Sequence, residues 1–165
     1  MLHRRHTLYV ALVALLAVAG RTHAQQAASP HGDFQRQATL GIWSKDRFAD
    51  SVVVSGISKT IYLSGMGAED PVDGHIQYLG DVYKQCQAAY SKIKDALGKQ
   101  DATMADIVKT TVYVTDARFG GDYAKCKNEA LAGAPLGTHT FVAVSSLAHP
   151  GMLLEIDVTA VTAAK

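Results

Sequence analysis

The chain has 165 residues, with 16 basic and 15 acidic side chains, seven histidines and a formal net charge of +1. That length suits one domain around one core. The balanced charge, with no Lys/Arg run, excludes the basic stripe that nucleic-acid partners need, and two cysteines are too few for a disulfide-built scaffold and lack metal-site spacing.

At the N-terminus, MLHRRH places Arg4 and Arg5 before the apolar run LYVALVALLAVAG, and RTHA then supplies the small residues Thr22 and Ala24. That order is the pattern of a secretory signal, residues 1–24, with cleavage after Ala24. The apolar run, Leu8 to Gly20, is shorter than the ~20 residues of a membrane-spanning helix. The expectation is a secreted or periplasmic protein with no membrane association after cleavage. Cleavage removes Arg4, Arg5 and Arg21 and no acid, leaving thirteen basic against fifteen acidic residues, a mature charge of −2.

Residues 25–45, QQAASPHGDFQRQATLGIWSK, are polar and aperiodic, with Pro30, Gly32 and Gly41. They read as a flexible leader with order beginning near Ala38, ahead of a domain over 46–165. DSVVVSG and KTIYLSG are β-branched runs, each ended by glycine, and the turn between them predicts a hairpin. MGAEDPVDGHIQYLG is a loop rich in Gly, Pro and Asp. Asp81 then suits an N-cap, and Val82, Cys86, Ala89, Tyr90, Ile93, Ala96 and Leu97 recur at helical spacing until Gly98. Thr103 with Asp106 resembles a capping box on one short turn. KTTVYVTD reads as a strand, Asp122 to Ala132 as a second helix, and Thr138–Val144 and Met152–Val161 as two more strands.

The order β, β, α, β, α, β, β predicts an α+β fold: one mixed sheet of about five to six strands with both helices on one face. The other face lacks a cover within the chain, so self-association is expected. No phosphate loop, metal motif or other cofactor signature occurs, and no cofactor or metal is expected.

Four stretches together resemble the Rid family, the reactive intermediate deaminases also called YjgF or RidA proteins. They are IYLSG at 61–65, GDVYKQCQAAYSKIKDAL at 80–97, MADIVKTTVYVTD at 104–116 and LLEIDVTAV at 153–161. The resemblance spans roughly residues 48–161. It implies a chorismate-mutase-like fold assembled as a homotrimer, with clefts between subunits for a small imine, enamine or keto acid. In members that are enzymes, such imines and enamines are hydrolysed to 2-keto acids and ammonia. Some relatives carry a ribonuclease label, against which the mature charge and the export signal count.

Carried over residue by residue, the family's water-positioning glutamate falls on Glu155, and its strand-end serine and glycine fall on Ser64 and Gly65. The arginine that holds the substrate carboxylate falls on His139, a departure from the pattern. A histidine cannot reproduce the planar, always-charged fork of arginine. The family's tyrosine has Phe48 as its nearest aromatic, and its helix asparagine falls near Lys127 and Asn128. The expected site is therefore Glu155 as catalytic residue, with His139, Ser64 and Gly65 binding substrate. Independently of the resemblance, Glu155 and Asp157 share one face of an otherwise apolar strand, where a lone buried carboxylate is costly. His31, His75 and His149 read as solvent-exposed. With the two helices side by side, Cys86 and Cys126 stand either as buried thiols or as an inter-helix bridge.

Overall fold

The computed structural model describes residues 33–56 and 58–164. The expected signal 1–24, its cleavage point, residues 25–32 of the leader and His31 lie outside the described residues. The elements are β1 (Gln35–Thr39), β2 (Ser51–Ser55), β3 (Ser58–Tyr62), α1 (Val82–Gly98), β4 (Ile107–Val114), α2 (Gly120–Ala130), β5 (Thr138–Ala143) and β6 (Leu154–Ala163). Six strands and two helices form the expected α+β fold, and the hydrogen bonds distribute the strands over a ribbon, β1-β2, and a mixed sheet in the order β3-β6-β4-β5.

Alternation fixes which face of the sheet is covered. In β6, Leu154, Ile156, Val158 and Ala160 are buried, while Glu155, Asp157 and Thr159 are half-buried. In β4, Ile107, Thr110, Val112 and Val114 are buried against the same core. α1 buries Val82, Cys86, Ala89, Tyr90, Ile93 and Leu97 on this face, and Asp81 caps it by accepting from the Lys84 N–H. The short turn Met104–Asp106 carries the capping box between Thr103 and Asp106. Each fully buried large apolar side chain here contributes about 2 kcal/mol.

Two expectations are corrected. The runs β2 and β3 do not form a hairpin: β2 pairs with β1 and β3 pairs with β6, both antiparallel. Order in the leader also begins ahead of Ala38. Its Gln35–Thr39 segment pairs with Ser51–Ser55, and Arg36 is the reason composition misleads. Its guanidinium donates to the carbonyls of Ala105, Ile107, Pro135 and Leu136, so a polar strand is held by charge-assisted bonds rather than by apolar burial. Burial, partly offset by Asp106, holds the Arg36 pKa below its ordinary value.

α2 is short and buries only Tyr123 and Cys126. A helix of that length is marginal alone. The disulfide between Cys86 and Cys126, with Cα atoms 6.4 Å apart, ties it to α1. Closing a loop over a sequence separation of 40 residues contributes about 4 kcal/mol in the chain-entropy account.

Gln85 is the one fully buried amide of α1. Its Nε2 donates to the carbonyls of Gln77, Tyr78 and Gly151, and its Oε1 accepts from the Leu153 N–H. Replacing it by leucine leaves all these groups unsatisfied, so Gln85→Leu is expected to lower unfolding free energy by about 3 kcal/mol in denaturant titrations. Reduction of the disulfide should lower the melting temperature in thermal unfolding, and the melting temperature of Cys86→Ala/Cys126→Ala should be insensitive to reductant.

Candidate functional site

Glu155 lies on the sheet face turned away from the helices, since its neighbours Leu154 and Ile156 are buried in the core. Across the ladder it faces Tyr113, and Asp157 faces Thr111, which in turn pairs with Thr140. Lys109 on this face donates to Thr140 Oγ1 at 2.6 Å. Neither Glu155 nor Asp157 has a hydrogen-bond partner among the described residues.

The chain past β3 brings Ser64 and Gly65 to Glu155. The Leu63 N–H bonds the Val158 carbonyl, and Met66 exchanges both backbone bonds with Ile156. Three steps on one strand thus oppose two on the other, so one residue is looped out as a β-bulge. The bulge lays Gly65 against the carboxylate so closely that a Cβ there would sit 1.8 Å from Glu155 Oε1. With the Glu155 carboxylate in this position only glycine fits, and Ser64 beside it is exposed. Of the four expected site residues, Gly65 therefore meets Glu155, with Ser64 adjoining Gly65 in the chain.

His139 does not join them within the chain. It stands opposite Thr110, which is buried on the helix side, and its Nε2 lies 2.8 Å from the Tyr123 hydroxyl of α2. Tyr123 in turn lies 3.1 Å from the Tyr90 hydroxyl. The arrangement that uses every hydroxyl proton has Tyr90 donating to Tyr123 and Tyr123 donating to His139 Nε2. His139 then carries its proton on Nδ1, which has no protein acceptor among the described residues. Burial, with Lys127 and Lys109 nearby, pushes the imidazole pKa down to about 4. At neutral pH this position holds an uncharged ring. Burial also raises Tyr90 to about 12 and Tyr123 well above the ordinary phenol value.

Phe48 stacks on His139 with ring centroids 6.2 Å apart, and Trp43 meets Phe48 edge-on at 5.8 Å. The helix-side cleft at His139 has a volume of about 260 Å³ and is lined by Arg47, Lys127, Asn128 and Thr138 among others. Tyr123 and Arg47 carry no site signal of their own in the sequence, whereas Lys127 and Asn128 are where the family's helix asparagine falls. Tyr123 reads there as a core residue of a helix stripe, and only its phenol's direction reveals the contact with His139. His75 and His149 are exposed, as expected.

The sequence profile of the endoribonuclease L-PSP family matches residues 43–162. The chain belongs to this family, that of the Rid proteins. Comparison with curated protein sequences finds no significant match. Among solved structures, the chain is similar to YyfB of Yersinia pestis, a Rid-family protein, at 26% identity and a TM-score of 0.65, over 76% of this chain and 97% of that one. It is similar to YyfA of the same organism at 25% identity and 0.58, over 69% and 86%. Escherichia coli TdcF, solved with bound serine, shares the fold at 24% identity and 0.58, over 63% and 81%. The chorismate-mutase-like α+β fold expected for a Rid protein is thus the fold of this chain.

The low pKa of His139 sets a pH dependence. Between about pH 4 and the ordinary histidine value, the unfolded chain binds a proton that the folded one does not, so folding stability falls as pH drops through that window. His139→Gln is expected to flatten this acid limb in urea titrations at stepped pH, and NMR should find the wild-type ring titrating near pH 4. A ring titrating above pH 6 would contradict the buried, Tyr123-bonded state.

Proposed function

We propose that this Rid protein binds small carboxylated or carbonyl compounds at clefts completed by neighbouring copies in a homotrimer, without efficient turnover. The observation that supports this reading is the neutral, Tyr123-bonded His139 at the position where an enzymatic relative carries arginine. A ring that stays uncharged above about pH 4 does not supply the bidentate cation that fixes a carboxylate for reaction.

Deaminase activity is the second reading, favoured by the half-buried, unpartnered Glu155 against Gly65. In that mechanism Glu155 orients a water onto the imine carbon, with Ser64, Gly65 and His139 holding the substrate. Water adds across the C=N bond, and the resulting amino alcohol expels ammonia to leave a 2-keto acid. Placing the nucleophile in this way lowers the barrier chiefly through orientation.

The two readings separate in one assay. 2-Iminopropanoate generated by an amino-acid oxidase should disappear at the same rate with and without the wild-type protein, while 2-oxo acids, with serine as a comparison ligand, should raise its melting temperature. Acceleration by wild type that Glu155→Gln abolishes would establish the deaminase instead. We also propose export with cleavage after Ala24. N-terminal sequencing of the mature protein from the producing cell's periplasm or medium is then expected to begin at Gln25.

A further inference from the structure

The helix-side cleft concentrates positive charge without a matching acid. Its lining includes Arg47 and Lys127 and no Asp or Glu among the described residues. Lys127 Nζ donates to the Arg47 carbonyl at 2.9 Å, which uses one of its three protons. Arg47 extends its guanidinium over the exposed Trp43 ring, 4.6 Å from the centroid, and makes no ion pair among the described residues. His139 also lines the cleft, and with Nε2 taken by Tyr123 its Nδ1–H is the third candidate donor. Burial and the nearby Arg47 lower the Lys127 pKa, the response of a cation held in a partly dry place beside another cation.

We propose that Arg47 and Lys127, with the Nδ1–H of His139, form the grip for the anionic group of a small organic carboxylate, in place of the arginine absent at position 139. This assignment rests on the carboxylate-binding reading above and supplies the residues that it lacks. A carboxylate there gains two charge-assisted bonds and one neutral bond. The C-terminal end of α2 opposes an anion by about 0.5 kcal/mol, less than one charge-assisted bond contributes. The volume of about 260 Å³ suits a ligand of metabolite size, and Leu131, Pro135 and Leu136 in the lining fit a carboxylate bearing a short apolar tail.

Titration calorimetry of the full mature chain with 2-oxobutanoate, and separately with inorganic phosphate, tests this. Lys127→Met and Arg47→Ser are each expected to weaken 2-oxobutanoate by about ten-fold. Lys127→Arg should restore it, and Lys94→Met, at an exposed cation outside the cleft, should leave it unchanged. Melting temperatures of the variants establish that they fold. Wild-type binding of 2-oxobutanoate that survives both cation variants and falls in Glu155→Gln would overturn the grip and leave the carboxylate reading standing. Phosphate binding lost in both cation variants, with no oxo-acid binding, would uphold the cationic grip and sink the carboxylate reading. If neither compound binds wild type, both fail.

Discussion

The side-chain amide of Gln85 is the contact on which the rest of the site depends. Fully buried on α1, it holds the loop at Gln77–Tyr78 and the turn at Gly151–Leu153 to one point. That turn runs directly into β6, so the amide sets where the strand begins. A one-residue slip of β6 would exchange its two faces, turning Glu155 into the core and Ile156 out of it. The backbone at Gly151, with φ of +89°, permits the sharp approach that lets the Gln85 amide reach both sides. A leucine in its place would fill similar volume and leave buried backbone groups unanswered, which is why the polar choice is the stabilising one here.

From that anchor two chains of contact diverge. One runs along β6 to the bulge at Ser64–Gly65 and the carboxylate of Glu155. The other runs through α1 to Cys86, across the disulfide to Cys126, and one turn back along α2 to Tyr123. Tyr123 fixes His139 from beneath, while Tyr90, one turn beyond Cys86, supplies the hydroxyl that fixes Tyr123. The covalent link and the tyrosine pair therefore act on the same ring. A short helix that buries two side chains would otherwise leave the tautomer of His139 to local fluctuation.

Much of this was legible in the chain. The apolar spacing from Val82 to Leu97, the Asp81 cap, the Thr103–Asp106 box and the alternation in LLEIDVTAV are local patterns with local causes, and they give the helices, the core face and the exposed side of Glu155. What escaped is non-local. β1 lacks an apolar pattern because Arg36 holds it through carbonyls between 69 and 100 residues away, and no local rule announces such a clamp. The supposed hairpin failed for a related reason: two β-branched runs around a glycine look alike whether they pair with each other or with separate partners. The juxtaposition of Gly65 with Glu155 followed from family resemblance, but the bulge that produces it is a matter of register. The cleft around His139 is assembled from residues near 47, 127 and 139, and no pattern within one stretch announces that these three come together.

The sheet also constrains how these parts can work together. β5, which carries His139, is an edge strand, and β4 separates it from β6. His139 and Glu155 occupy opposite faces, so no small ligand can touch both within one chain. A reaction that needs both requires two chains, each offering a different face to one cleft. The open face carries Glu155 and Asp157 half-buried, without partners among the described residues, and covering such carboxylates with an apolar surface would cost several kcal/mol each. A partner that covers this face must bring donors or leave water beside them. Either way the surroundings of Glu155 stay polar, which is the condition for a small-molecule site at this face.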